Sequence, residues 1–440
     1  MSSIFESAAA AVKLTARAEA RGNVTDVRGI VIEGSGPFAP VGSHVNVYSG
    51  LNRIPAQIVG FRRDKILLMP FGELQGVAQG SAIVAEGMVS EVLVSKNLLG
   101  RVIDALGNPI DHRPLSPAGD VVPLFRAPPN PVTRKRIEKH FDLGVRVINS
   151  MLTVGAGQRI GIMSGSGVGK STLLGMIARN SVSDINVIGL VGERGREVRE
   201  FIERDLGEEG LKRSVVVVAT GNESALLRIR CAFLATAIAE YFRDQGQRVV
   251  LMLDSVTRLA MAQREVGLAI GEPPSTRGYT PSVFSMLPRL LERAGTTDGS
   301  GSITGLYTVL VEGDDMNEPI ADATRGILDG HIVLSRRLAA KGHYPAIEVL
   351  ESVSRVMPDI VPREILDLAS DARDMIATYR EAEDLITIGA YKPGQNPRVD
   401  RAVKLHDRLE TFLKQRATDK VTIQDSWRML HDILKSAEAA

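Results

Sequence analysis

The sequence contains little cysteine, few aromatic residues and no excess of either charge. Cys231 is the single cysteine among 440 residues, which excludes an internal disulfide framework and indicates a reducing compartment. Lys and Arg total 53 against 52 Asp and Glu, a net charge of +1, which lacks the electrostatic footprint of a nucleic-acid-binding protein. Aromatic residues make up 4% of the chain, too few to favour a groove that stacks bases.

Long apolar runs and metal-ligand patterns are also missing. No segment reaches the roughly 18–20 uncharged apolar residues needed to cross a bilayer. The N-terminus lacks the basic and apolar regions of a secretory signal. The seven histidines show no ligand-like spacing, so we expect no structural zinc. We therefore expect a cytoplasmic protein that associates with a membrane only through partners.

Changes in the sequence pattern divide the chain into four predicted parts. Residues 1–20 mix apolar and charged side chains and suggest a short helical arm. Residues 21–92 contain short runs of strand formers between Gly, Pro and Asn, which predicts a small β-barrel. Residues 93–360 alternate strand and helix patterns, and residues 361–440 are helical. One face of a helix in the last part carries apolar residues at i, i+4, i+7 and i+8, namely Leu405, Leu409, Phe412 and Leu413.

The third part has the pattern of a mainly parallel sheet. Alternating strands and helices are typical of an α/β sheet with helices on its faces. The strand patterns are continuous apolar runs, as strands buried on both faces require. The predicted strands are 159–163, 186–191, 214–219, 248–253 and 304–311, and predicted helices between several of them are 171–180, 197–205 and 225–244.

The most informative segment is a glycine-rich loop between a predicted strand and a predicted helix. Its glycines allow the backbone to curl with its N–H groups directed inward, as phosphate binding requires. Lys170 can reach the β- and γ-phosphates, Ser171 can hold Mg²⁺, and the helix dipole favours negative charge. The usual pattern begins with Gly, and here Ser164 stands in that position. The residues predicted to bind a nucleoside triphosphate are Gly165, Ser166, Gly167, Val168, Gly169, Lys170, Ser171 and Thr172.

Two carboxylates downstream of the loop complete a predicted catalytic site. Asp254 ends the apolar run 249–253, and a carboxylate at the end of a buried strand can hold Mg²⁺. Glu193 follows the strand 186–191 and reaches the same edge of the sheet, where it can polarise the attacking water. The alternative for Glu193 is one more exposed charge in a solvated run that includes Arg194.

These motifs resemble those of the catalytic subunits of rotary ATPases and of their export-ATPase relatives. The phosphate loop and residues 192–194 and 254–258 carry the resemblance to the whole superfamily. A closer resemblance, to the flagellum-specific type III export ATPases, rests on residues 263–269, 271–274, 278–284 and 327–336. Injectisome ATPases of virulence secretion share most of these blocks. The resemblance implies an α/β RecA-like nucleotide-binding core with a small N-terminal β-barrel and a C-terminal helical domain.

The resemblance also assigns roles outside the loop. Arg355 matches the arginine finger, which contacts the nucleotide held by the adjacent subunit; a structural ion pair is the alternative. Tyr344 matches the aromatic residue that stacks on adenine, with an ordinary packed tyrosine as the alternative. Arg194 and Arg258 match positions near the γ-phosphate, and Tyr391 is a further candidate for the adenine pocket.

One chain with both a phosphate loop and a finger implies identical subunits that complete each other's sites. Head-to-tail contacts that close form a ring, and we expect a homohexamer. ATP and Mg²⁺ are the implied cofactors. The predicted catalytic residues are Lys170, Glu193, Arg194 and Arg355, and the predicted ligands of Mg²⁺ are Ser171 and Asp254.

The function implied by the resemblance is Mg²⁺-dependent ATP hydrolysis that energises type III protein export during flagellum assembly. The expected partners are further copies of the chain, regulator and stalk proteins of the export apparatus, export substrates and chaperones. We expect the protein at the cytoplasmic base of this apparatus, in contact with the inner membrane only through the export gate. The alternatives are a virulence injectisome ATPase, a rotary synthase subunit, a binding-only module and, from another class, a ring-shaped nucleic-acid motor.

Overall fold

The computed structural model describes residues 20–87, 91–116 and 118–436. Apart from Ala20, the predicted arm over residues 1–20 lies outside the described residues. The described chain forms a barrel, then a sheet with helices on its faces, then a group of helices, which is the predicted fold class. Within these ranges no helix combines the length and the apolar character needed to span a bilayer.

The N-terminal part is a closed antiparallel barrel. Side chains such as Val45, Val47 and Ile58 lie together in its core. The strands are β1 (Arg21–Arg28), β2 (Val31–Gly34), β3 (His44–Ser49), β4 (Asn52–Arg62), β5 (Lys65–Pro70) and β6 (Ala82–Gly87). Their order is β1-β2-β5-β4-β3-β6, and the pairing of β1 with β6 closes the barrel.

Three short strands follow the barrel. They are β7 (Glu91–Val94), β8 (Arg101–Asp104) and β9 (Asp120–Pro123). β7 and β9 pair as a separate two-stranded ribbon, whereas β8 pairs in parallel with the strand Ser214–Thr220 of the large sheet. The strand β7 spans the predicted boundary between residues 92 and 93. The division of the chain into domains stays a prediction.

The central part is a sheet whose core strands are parallel. Its further strands are β10 (Arg159–Ser164), β11 (Ile185–Glu193), β12 (Ser214–Thr220), β13 (Arg248–Asp254), β14 (Gly295–Thr296), β15 (Ser302–Leu310), β16 (Gly330–Leu334) and β17 (Val353–Ser354). Their order is β17-β16-β10-β15-β13-β11-β12-β8, with β14 antiparallel to β15. Every residue of β11 is buried, as expected of a strand covered on both faces. All five predicted strands are present, with ends that differ by one or two residues.

Helices cover the faces of the sheet and form the C-terminal part. They are α1 (Arg146–Met151), α2 (Lys170–Asn180), α3 (Gly195–Glu200), α4 (Gly207–Lys212), α5 (Ala225–Asp244), α6 (Val256–Ile270), α7 (Pro281–Leu291), α8 (Pro319–Ile327), α9 (Arg336–Ala340), α10 (Met357–Ile360), α11 (Arg363–Thr387), α12 (Pro397–Leu413) and α13 (Ile423–Lys435). The apolar face predicted on α12, which includes Leu405 and Phe412, is buried in the same cluster as Leu173 of α2. The C-terminal helices therefore share a core with the helix that follows the phosphate loop.

The helix predicted over 197–205 is present in the structure, although its second half is not α-helical. A π-helical turn, Phe201–Leu206, follows α3. Asp205 in this turn is buried and accepts a hydrogen bond of 3.3 Å from Thr172 of α2. The backbone of Asp205 lies directly against Gly175 of α2. The predicted helical segment is therefore present, and its second half packs closely against α2.

The direction of the strands decides which residues meet at one edge of the sheet. The parallel strands β10, β11 and β13 end at Ser164, Glu193 and Asp254, so these residues lie at the carboxyl edge. β17 runs antiparallel to β16, and its Ser354 pairs with Gly330, the first residue of β16. The residue that follows β17 therefore lies at the opposite edge.

We expect Gly175→Ala to destabilise the protein by about 1–3 kcal/mol, although alanine is the better helix former. A Cβ at residue 175 would lie 2.7 Å from the carbonyl carbon of Asp205, and backbone cannot yield as a flexible side chain does. The midpoint of denaturant-induced unfolding measures the effect. Gly326→Ala in α8 is the matched control, because nothing lies within 4 Å of its added Cβ. An unchanged midpoint for Gly175→Ala would contradict this packing.

Candidate active site

The loop between β10 and α2 has the backbone that phosphate binding requires. Gly167 and Gly169 adopt φ angles of 77° and 90°, which residues with a side chain rarely adopt. Val168 between them is buried in the core and fixes the loop to the sheet. Ser166 and Gly167 are exposed, so the loop presents nearly bare backbone to its cleft.

The ammonium group of Lys170 joins two carboxylates at the carboxyl edge. It contacts Oδ1 of Asp254 and lies 3.5 Å from Oε1 of Glu193. The side chains of Lys170, Asp254 and Glu193 are only 13%, 5% and 10% exposed. Burial by itself would lower the pKa of Lys170, but the two carboxylates outweigh burial and raise it. The structure thus brings these three predicted residues to one point.

Asp254 accepts a hydrogen bond from a second residue besides Lys170. The other predicted Mg²⁺ ligand, Ser171, directly follows Lys170 in the sequence. Thr308 of β15 donates a hydrogen bond of 2.7 Å to Oδ1 of Asp254. Ser171, in the first turn of α2, lines the cleft around the loop. Hydroxyl and carboxylate oxygens suit Mg²⁺, which completes its shell with phosphate oxygens and water. Within the described ranges, no cluster of three or more His, Cys, Asp or Glu could hold a metal ion.

Glu193 is placed by an irregularity in β11. The register with β12 shifts just before Glu193, and Gly192 adopts a φ of 73°, a bulge of the kind that redirects a side chain. Its Oε1 has no hydrogen-bond partner among the described residues. Burial raises the pKa of Glu193 to about 7, helped by the charge of Asp254 and a hydrogen bond with Glu197 and opposed by Lys170. A carboxyl group that titrates near neutral pH suits a general base.

The two arginines predicted near the γ-phosphate line the same cleft, which has a volume of about 610 Å³. Arg194 is exposed, and its Nη1 lies 3.2 Å from Oε1 of Glu197. The aliphatic part of Arg258 lies against Gly192, and its Nε is buried without a hydrogen-bond partner in the described chain. Further arginines that were not predicted as site residues line the cleft, namely Arg196, Arg204 and Arg336.

Tyr344 lines a second cleft, of about 740 Å³, between the phosphate loop and the C-terminal helices. Tyr344 is 45% exposed, and a Cβ on Gly169 would lie 3.2 Å from its ring. Gln415 supports this position, because its backbone N–H donates to the carbonyl oxygen of Tyr344 at 2.9 Å. The side chain of Gln415 accepts a hydrogen bond from the backbone N–H of Arg146 at 2.7 Å. A half-exposed ring beside the loop suits stacking on a base.

Tyr391 does not line this second cleft. Its hydroxyl lies 2.8 Å from Oδ1 of Asp400 and 3.0 Å from the carbonyl oxygen of Asn396. The backbone N–H of Gly394 also donates to Asp400. These contacts close the connection between α11 and α12, so the structure does not place Tyr391 beside Tyr344.

Arg355 is exposed and lies away from the other predicted residues. Its guanidinium donates to the carbonyl oxygens of Leu328 at 3.1 Å and Arg325 at 3.2 Å. The residues Ser164 and Leu334 pair at the carboxyl edge, whereas Arg355 follows β17 at the other edge. The structure does not bring Arg355 to the phosphate loop of its own chain.

Sequence reasoning missed three residues that support the site. Thr308 lies within a predicted strand, but its hydrogen bond to Asp254 depends on which strands are neighbours in the sheet. Gln415 and Arg336 contact residues far away in the sequence. The only sequence signal was that Arg336 ends one of the blocks that resemble the export ATPases.

The donors and acceptors around the loop fit a nucleoside triphosphate. The glycine backbone leaves room for phosphate groups, and Nε of Arg258 is a buried donor that lacks a partner in the described chain. Oε1 of Glu193 is a buried acceptor that lies 3.5 Å from Lys170 and makes no hydrogen bond in the described chain. Buried polar groups normally have partners, so these two atoms suit a bound anion and an attacking water.

Two protein-family models match the chain. The nucleotide-binding domain of the ATP synthase alpha/beta family matches residues 144–354, and the T3SS EscN ATPase C-terminal domain matches residues 361–432. The flagellum-specific ATP synthase of Bacillus subtilis (strain 168) is 53% identical over 430 residues, which cover 97% of this chain and 98% of the relative. The type 3 secretion system ATPase of Sinorhizobium fredii is 50% identical over 398 residues, with coverage of 90% and 88%.

Solved structures agree with the family models. The assembled ATPase EscN from the enteropathogenic E. coli type III secretion system is 44% identical, with a TM-score of 0.90 over 94% of this chain and 100% of that chain. EscN in complex with its central stalk EscO gives a TM-score of 0.87 over the same shares. The predicted fold class and resemblance are confirmed. The chain belongs to the family of flagellum-specific and type III secretion ATPases, which share the nucleotide-binding domain of the ATP synthase alpha/beta family.

Proposed function

We propose that this protein hydrolyses ATP with Mg²⁺ and that hydrolysis energises type III protein export during flagellum assembly. The observation that carries the proposal is the meeting of Lys170, Glu193 and Asp254 beside a glycine-rich loop. The relatives matched over nearly the whole chain are named flagellum-specific ATP synthases and type 3 secretion system ATPases, which supports the export role.

The arrangement assigns each residue a part in hydrolysis. Lys170 and the loop N–H groups bind phosphate oxygens, so Lys170 exchanges its contact with Asp254 for the substrate. Ser171 and Asp254 would hold Mg²⁺, which would neutralise charge on the phosphates. Glu193 accepts a proton from water while the water oxygen bonds to the γ-phosphorus and the bond to the leaving ADP oxygen breaks. Tyr344 stacks on the base, and Arg194 and Arg258 offset the negative charge of the γ-phosphate.

Arg355 acts on the nucleotide of a neighbouring subunit. Gly330 and Leu334 mark the two ends of β16, so Arg355 and Ser164 are separated by about 13 Å along the strand direction. An arginine at the far edge does not reach its own loop, yet it is exposed to a neighbour. Head-to-tail contacts between identical subunits close into a ring, and a homohexamer is the assembly we propose.

The further partners follow from the export role. EscN is described as assembled and in complex with its central stalk, which supports a stalk protein as a partner of this chain. Regulators of the export apparatus, export substrates and chaperones are the other proposed partners. The proposed location is the cytoplasmic side of the inner-membrane base of the apparatus, with membrane contact only through the export gate.

The closest alternative is a virulence injectisome ATPase, because relatives with both names match at similar identity. The identity of the genes that flank the gene for this protein distinguishes these two roles. A nucleic-acid motor is disfavoured by a net charge of +1 and 4% aromatic residues, since such motors combine a basic groove with stacking platforms.

We expect Glu193→Gln to lower ATP hydrolysis by about 100-fold or more while nucleotide binding is retained, because loss of a general base affects the chemical step. Phosphate release measures hydrolysis, and titration calorimetry with ADP measures binding. Glu208→Gln on α4 is the matched control, since this glutamate is exposed and outside both clefts. Hydrolysis at the wild-type rate in Glu193→Gln would exclude Glu193 as the base.

The pH profile follows from the raised pKa of Glu193. The base must be ionised, so kcat/KM in excess Mg²⁺ should fall about tenfold per unit below a pH of about 7. Glu197→Gln removes a negative charge and weakens a hydrogen bond that raise this pKa, so the acid limb should move to lower pH. An acid limb that stays in place in Glu197→Gln would contradict this electrostatic account.

Mixed rings test the trans role of Arg355. Lys170→Ala and Arg355→Ala should each be inactive alone, because each ring then lacks one half of every site. After co-assembly of the two variants, junctions that pair an intact loop with an intact finger should restore part of the activity. The measurement is phosphate release by rings shown to contain both variants. Mixed rings that remain inactive would count against a finger supplied by the neighbour.

A further inference from the structure

Arg336 lies directly on the phosphate loop. A Cβ on Gly165, at the start of the loop, would lie 2.6 Å from Nη2 of Arg336, so the guanidinium packs against the loop backbone. Arg336 lines the same cleft as Lys170 and Glu193. A guanidinium fork in this position matches the geometry of phosphate oxygens.

The partner of Arg336 is a replaceable carboxylate. Nε of Arg336 lies 3.5 Å from Oδ1 of Asp314, and the two side chains are 48% and 56% exposed. Ion pairs with this exposure contribute little to stability. A nucleotide phosphate carries more charge than Asp314 and lies on the loop side of the arginine, so it competes with the carboxylate for the same donors.

Asp314 lies in a short turn that has room to move. Gly313 and Asp314 adopt φ angles of 65° and 59°, and this turn follows the end of β15. A cavity of about 120 Å³ lies between the turn and the loop, lined by Ser164, Gly165, Asp314 and Met316 among others. The hydroxyl of Ser164 is buried there without a hydrogen-bond partner in the described chain. The cavity leaves open space beside Asp314.

The same turn is connected to a second segment. Asp315 pairs with Arg277 at 2.8 Å, and Arg277 lies in the irregular segment between α6 and α7. Asp314 is therefore next in sequence to a residue that makes a contact outside the nucleotide cleft.

We propose that Arg336 is a further nucleotide-binding residue, which contacts a phosphate of the bound nucleotide and exchanges Asp314 for it. Asp314 then acts as an internal competitor that lowers nucleotide affinity, and binding releases the turn that contains Asp314 and Asp315. This inference rests on the proposed function, since it requires a nucleotide at the loop.

Binding of Mg²⁺ with ADP, and with a non-hydrolysable ATP analogue, to the full chain by titration calorimetry tests the exchange. Arg336→Gln should weaken binding by about tenfold, the scale of a charge-assisted contact. Asp314→Asn should tighten binding by about two- to fivefold, because it removes the competitor and asparagine tolerates the same backbone. The double variant should bind like Arg336→Gln alone, since the competitor has no effect without the arginine.

Arg337→Gln is the matched control. Arg337 is the next residue of the same helix, is 53% exposed, and pairs with Glu348 at 3.4 Å. The Arg337→Gln variant should therefore bind nucleotide with the affinity of the wild type. Absence of nucleotide binding by the wild type would overturn the proposed function itself. If the wild type binds nucleotide, two results would overturn the inference alone. One is an Asp314→Asn variant that binds nucleotide no more tightly than the wild type. The other is a gain in affinity from Asp314→Asn that persists in the Arg336→Gln background.

Discussion

The ion pairs of Lys170 with Asp254 and Glu193 are the interaction on which the site depends. Two buried carboxylates at the ends of neighbouring strands would repel each other, and burial alone would favour their neutral forms. The ammonium group at the start of α2 makes their approach possible. In the proposed mechanism this arrangement couples phosphate binding to catalysis, since a phosphate that binds Lys170 removes a positive charge from both carboxylates.

The direction of the strands determines which of the predicted site residues lie apart within one subunit. Parallel strands deliver the loop, Glu193 and Asp254 to one edge, while the antiparallel β17 places Arg355 at the other. A fold that separates these groups in one chain can reunite them only between chains. The assembly that we propose thus follows from sheet topology, whereas Arg336 lies on the loop of its own chain.

Local patterns in the sequence predicted most of the fold, and long-range contacts account for what they missed. Continuous apolar runs predicted the five long strands, and the loop motif predicted the meeting of strand and helix at Lys170. The short strands β8, β16 and β17 lie at or next to the edges of the sheet and have too few residues to produce a pattern. The hydrogen bond of Thr308 to Asp254 and the support of Tyr344 by Gln415 arise only when distant segments pack. Tyr391, by contrast, is held by residues that are near it in the sequence, Asn396 and Asp400.

The most direct test of the account is the ATP hydrolysis rate per subunit, measured over a range of protein concentrations together with the mass of the particles by light scattering. The account predicts a low rate for the monomer and a rate per subunit that rises in parallel with the fraction in rings. A full rate per subunit in particles that remain monomeric at every concentration would contradict it.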